Sequence, residues 1–134
     1  MPMAYSPIPQ TYEQALDQIV SGLTEEEREW IRANDQIHLF LMPGQKAPPA
    51  TFNITGMAIR NAWDLWGVER RKSPLREDFI SRFGLGHADD MSGMLLDEAW
   101  AIVRGKPFDR QAAIDAFYAH WSLYGVDPIT LEKT

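Results

Sequence analysis

Cysteine is absent from the 134 residues, which excludes disulfides, thiolate catalysis and cysteine-ligated zinc. No run approaches the roughly 20 apolar residues that span a bilayer, so no membrane partner is expected. Met1 to Gln10 lacks the basic start and apolar core of a signal peptide, and a cytoplasmic protein is the expectation. Positive charge is also scarce. The chain has 13 Lys and Arg against 19 Asp and Glu, a formal net charge of −6, which weighs against a general nucleic-acid binder. Catalytic signatures are missing too. None of the serines at 6, 21, 73, 81, 92 and 122 sits in a G-x-S-x-G elbow, and no HExxH, His-x-Glu or DxDxDG spacing occurs. No metal, cofactor or catalytic residue is therefore assigned.

What remains is ordinary globular material, 45% hydrophobic and 24% charged, enough for one domain with a real core over residues 1–134. Charge is unevenly spread. Residues 1–35 carry two cations and seven anions, whereas residues 60–82 hold six cations (Arg60, Arg70, Arg71, Lys72, Arg76, Arg82) against four anions. Arg70, Arg71, Lys72 and Arg76 read as a basic patch, in its plainest form a solvated loop that begins a helix.

Periodicity is helical almost throughout. Met1 to Pro9 is an extended, proline-bearing lead-in. A first helix runs from about Thr11 to Val20, with Gly22 ending it. Thr24 and Glu27 form a capping box that opens a second helix, expected to end near Asn34. Residues 42–51 carry Pro43-Gly44 and Pro48-Pro49 and read as a flexible loop. A third helix covers about Phe52 to Trp66, and Ser73-Pro74 opens a fourth that runs through Arg82. The fifth, about Asp90 to Arg104, is apolar over most of its circumference and is expected at the centre of the core. Asp109 caps a sixth with Ile114, Phe117, Tyr118, Trp121 and Tyr124 as its stripe. The expected fold class is all-α, a bundle of about six short helices.

Two adjacent carboxylates, Asp89 and Asp90, stand behind His87 at the mouth of that central helix. Buried charge there must be answered by specific partners. Asp89 reads as the cap, and Arg60 as the cation opposite Asp90 in an interhelical lock. The competing reading is a metal or acid–base site of His87, Asp89 and Asp90, joined by His120. Gly84-Leu85-Gly86 completes no phosphate-binding fingerprint and reads as a tight turn. Asn61 falls near Ala58, Ala62 and Leu65, and so is expected to be hydrogen-bonded inside or set in a groove. Of the tryptophans at 30, 63, 66, 100 and 121, Trp66 is the one expected at a rim.

Ile59-Arg60-Asn61-Ala62-Trp63-Asp64-Leu65-Trp66, then Leu75 and Phe79, then Gly84 to Leu96, resemble an uncharacterised family of small bacterial proteins. Its pattern is close to I-R-N-x-W-x-L-W, L-x-x-x-F and G-I-x-H-P-D-D-M-S-x-I-I-L. The resemblance spans about residues 12 to 108, with Ala88 standing where the family usually has proline. It attaches no activity. It implies that Arg60, Asn61, Trp63, Trp66, His87, Asp89, Asp90 and Ser92 form one constellation.

The expected function is that of a non-enzymatic protein that binds and blocks another macromolecule, most plainly another protein, in the manner of an immunity protein or a phage-encoded inhibitor of host defence. The acidic amino-terminal surface would steer a basic partner. The alternative is a small-ligand or nucleotide site, extending to a hydrolase, at Arg60, Asn61, His87 and Asp90. Arg60, Asn61, Trp66, His87, Asp90 and Ser92 are the binding candidates under both.

Overall fold

The computed structural model describes residues 8–33, 55–67 and 73–133. Local signals start and stop most of its helices. Thr11 accepts the Gln14 N–H and opens α1, Tyr12–Ser21. The Thr24 hydroxyl accepts from the Glu27 amide, and the Glu27 carboxylate from the Thr24 amide, so the expected capping box opens α2, Glu25–Ala33. Thr55 caps α3, Gly56–Ala62, and Ser73 caps α4, Pro74–Asp78, with proline in its first turn. α4 continues into a π-helical turn, Phe79–Phe83, which ends at Gly84 in the left-handed conformation. α5, Ala88–Arg104, and α6, Arg110–Leu123, complete the described helices.

α5 is the hub. It packs against α1, α2, α3 and α6 and buries Met91, Met94, Leu95, Leu96, Ala99 and Trp100. Tyr12, Ile19, Ile31, Ile59, Trp63 and Phe79 close around it from the other elements. Edge-to-face contacts of Tyr12 with Phe79 and Phe83, at 5.5 and 5.2 Å between centroids, fix the π-helical turn to α1. The fold is all-α, and its one β feature among the described residues is an isolated bridge between Val126 and Lys133.

Three elements differ from the sequence reading. α3 stops at Ala62 rather than Trp66, because Asp64 takes a positive φ of 48° and unwinds the chain. A straight helix sets Leu65 some 200° from Trp63; the turn buries both and leaves Trp66 at the surface. α5 begins two residues earlier than expected, at Ala88. α6 has the expected cap, Asp109 to the Ala112 amide, yet none of its residues is fully buried. Ile114 and Phe117 rest against the core, while Tyr118 and Tyr124 are exposed. The extended lead-in up to residue 7, the end of the second helix at Asn34, the loop at 42–51 and the expected helix start at Phe52 lie outside the described residues.

Candidate functional site

The turn that delivers the chain to α5 is held from three sides. Arg76 donates from Nη1 to the carbonyls of Leu65, at 2.9 Å, and Gly86, at 3.1 Å, joining the unwound end of α3 to the Gly84–His87 loop. Its own position is set by Ser73, whose hydroxyl accepts the Arg76 amide and donates to the Trp63 carbonyl. Gly67 has a φ of +69° and would drive a side chain into Arg76, so glycine is required there. Arg76 is thus an internal brace, not part of a solvated basic patch. Arg70, Arg71 and Lys72 lie outside the described residues.

His87, not Asp89, caps α5. It sits in extended backbone, and its Nδ1 accepts the Asp89 N–H at 3.0 Å. With Nδ1 accepting, the ring proton sits on Nε2. Asp89, displaced from the capping role, points out of the helix and is more than half exposed, with Arg60 Nη1 at 3.3 Å.

The expected Arg60–Asp90 lock is also corrected. Arg60 reaches Asp89 and the buried Ser92 hydroxyl, 2.9 Å away, and Ser92 in turn donates to the Asp89 carbonyl. Gly56 makes room for this, because a Cβ there would meet Arg60 Nη1 at 2.7 Å. Asp90 lies one residue on, about 100° around the helix, and faces α6. It is 8% exposed and accepts the Trp121 indole N–H at 2.8 Å. Burial raises its pKa, opposed by the indole bond and by the nearby His87 and His120. Asn61 is exposed rather than turned inward, because the short α3 directs its apolar side through Ile59 and Trp63.

Aromatic rings run across the surface beside these polar groups. Trp66, 44% exposed, meets His87 edge-on at 5.3 Å, and His87 lies 5.3 Å from Trp121. His120 packs against Trp121 and Tyr124 at 5.1 and 5.3 Å, and the Arg60 guanidinium sits 5.9 Å over the Trp66 ring. His120 therefore joins the cluster through Trp121. Among the described residues, no group of three or more His, Cys, Asp or Glu is placed to hold a metal ion.

The sequence reading missed Trp121, Tyr118 and Pro128. The Tyr118 hydroxyl donates to the Gly84 carbonyl at 2.9 Å, and the Gly86 amide donates to the Pro128 carbonyl at 2.9 Å. These contacts span more than thirty residues, so no local spacing announces them. The one available signal was that two rings of the expected α6 stripe, Tyr118 and Trp121, carry polar handles that seek partners when covered.

The class defined by this architecture is an all-α protein with one central helix, whose N-terminus carries a mixed polar and aromatic cluster. Residues 8–102 match a family described as a domain of unknown function, DUF6794, and the chain belongs to that family. No curated protein and no solved structure matches the chain. Arg60, Trp66, His87, Asp89, Asp90 and Ser92 lie inside the matched region, whereas Tyr118, Trp121 and Pro128 lie beyond it.

Proposed function

We propose that this protein is a non-enzymatic binding protein that engages and blocks another macromolecule, most plainly a protein, through the face centred on His87 between Trp66 and Trp121. The observation that carries the reading is the aromatic row that runs from the exposed Trp66 through the half-buried His87 and Trp121 and through His120 to the exposed Tyr124, set beside the Arg60–Asp89 pair. Rigid aromatics and arginine are the side chains that dominate binding energy at protein interfaces. The polar groups favour recognition over turnover. The His87 base nitrogen is occupied by the helix cap, Asp90 by an indole and Arg60 by Asp89 and Ser92, so these three groups already have partners within the fold. An immunity protein or a phage-encoded inhibitor of host defence is the kind of blocker this describes, acting in the cytoplasm on a partner that the chain's net charge of −6 would steer if it is basic.

The test is capture from the native host with the full-length protein and with Trp66→Ala, which removes an exposed ring and leaves the core intact. Mass spectrometry of both eluates should show a protein retained by the wild type and lost from the variant. A bound nucleotide without any protein partner would overturn the reading.

A further inference from the structure

The two ends of α6 are held differently. At its start, Arg110 bonds to Glu98 at 2.7 Å and to Glu13 at 2.8 Å, and lies 4.6 Å over the Tyr12 ring, an anchor of charge-assisted bonds. From Tyr118 onward, the segment rests on the Gly84–His87 loop and Asp90 through three hydrogen bonds: Tyr118 to Gly84, Trp121 to Asp90 and Gly86 to Pro128. Leu123 and Tyr124 are 83% and 63% exposed. An open groove of about 350 Å³, lined by Arg82, Phe83, Gln111, Ile114, Asp115 and Tyr118, separates the middle of the helix from the π-helical turn. Residues 126–133 fold back as a small self-contained loop. Asp127 accepts the Ile129 and Thr130 amides, and Val126 bridges to Lys133. The covered face belongs to the family domain, and the covering segment lies outside it.

We propose that residues 118–133 are a displaceable cap over a peptide-binding edge formed by Gly84 to His87 and Asp90, and that a partner's extended segment, presenting a backbone carbonyl to Gly86 and an indole to Asp90, takes the cap's place. The chemistry of the occupant is read from the groups the cap satisfies: the Gly86 amide donor, the Gly84 carbonyl acceptor and the Asp90 carboxylate, with the His87 and Trp66 rings beside them. Gly86 is the key to the edge. A Cβ there would collide with the Ile129 backbone carbonyl, and the residue is not among those with positive φ. Glycine is therefore needed for the approach of a second backbone rather than for its own conformation. This rests on the binding reading above and narrows it: the partner's indole takes the place of Trp121 beside His87, leaving Trp66 and His87 as the rings it meets, and the opening of the cap is measurable without any partner.

In the full chain, Trp121→Phe removes the indole donor and leaves the receiving edge intact. Amide exchange at Gly86 should accelerate about tenfold, while α5 amides from Met94 to Val103 stay protected. A labelled synthetic peptide of residues 117–133 should bind Trp121→Phe about tenfold more tightly than it binds the wild type. Adding Gly86→Ala, whose methyl occupies the carbonyl's place, should abolish that binding. Tyr118→Phe serves as a second opening variant should Trp121→Phe lose α5 protection. Exchange at Gly86 that tracks α5 in both variants, or a peptide bound equally by all forms, would overturn the proposal. A variant that instead dimerises with Gly86 protected would assign the edge to a second copy of the chain and overturn it too. Cap opening without capture of any host protein would count against the blocking function alone.

Discussion

α5, apolar over most of its circumference, and α6, with a single apolar stripe, meet opposite fates. α5 buries ten of its seventeen residues, whereas α6, at fourteen residues, buries none fully. Each is capped by a side chain, His87 and Asp109, so the caps do not separate them. The difference is in neighbours. α5 is enclosed by α1, α2 and α3 as well as α6, while α6 packs mainly on α5 and among the described residues reaches α1 through Arg110 and the Gly84 loop through Tyr118. Apolar content sets how much a helix could bury; the number of elements around it sets how much it does. Helix burial and polar chemistry are accordingly divided, with stability concentrated around α5 and exchangeable contacts along α6.

The largest expected effect tests that division directly. Leu95→Ala, in the fully buried centre of α5, should cost about 2–5 kcal/mol in urea unfolding, whereas Phe117→Ala, at the half-covered face of α6, should cost well under half of that. Equal losses would erase the distinction between the two helices. Next in size is Trp121→Phe, which leaves Asp90 without its indole donor and should cost about 1–3 kcal/mol.

Asp90→Asn sharpens the comparison from the other side. Burial holds the Asp90 pKa above its ordinary value of 3.8, so the native state binds this proton more tightly than the unfolded chain. That group's contribution is full at low pH and falls as pH rises from 3.8 through the folded value. An asparagine still accepts the indole bond and removes the buried charge. Thermal denaturation should therefore show equal or greater stability for the variant at pH 7, and a flatter pH dependence above 3.8. A clear loss would mean that the carboxylate is structural.

Glu13 should give the smallest effect. The Arg82 bond, seconded by Arg110, lowers its pKa to about 2 from an ordinary 4.5. Its contribution is present above 4.5 and lost as pH falls towards 2. Because its side chain is half exposed, Glu13→Gln should cost less than about 1 kcal/mol. The loss should vanish near pH 2, as chemical denaturation across that range would show.

Much of this was legible in the chain. The capping box at Thr24, the Ser73-Pro74 start, the Asp109 cap and the central place of the helix after His87 all follow from local rules. The site was legible as a cluster but not in its wiring. Asp89 read as the cap because aspartate is a better capping residue than histidine, yet the backbone approach puts the imidazole over the free amide. Asp90 read as the partner of Arg60 because a carboxylate at a buried helix start needs a cation and Arg60 lies on the polar side of the third helix, yet consecutive helical residues point about 100° apart and only Asp89 turns towards α3.

The sequence by itself determined where most of the helices lie, the caps at Thr24, Ser73 and Asp109, and the all-α class. These depend on hydrogen bonds and periodicities reaching no further than four residues. Tertiary structure alone decided which carboxylate meets Arg60, that Trp121 answers Asp90, that Asp64 unwinds α3 to bury Leu65, and that the segment after Tyr118 lies across Gly86. Those outcomes rest on the rotation of one helix against another and on contacts across thirty residues or more, which no local pattern encodes.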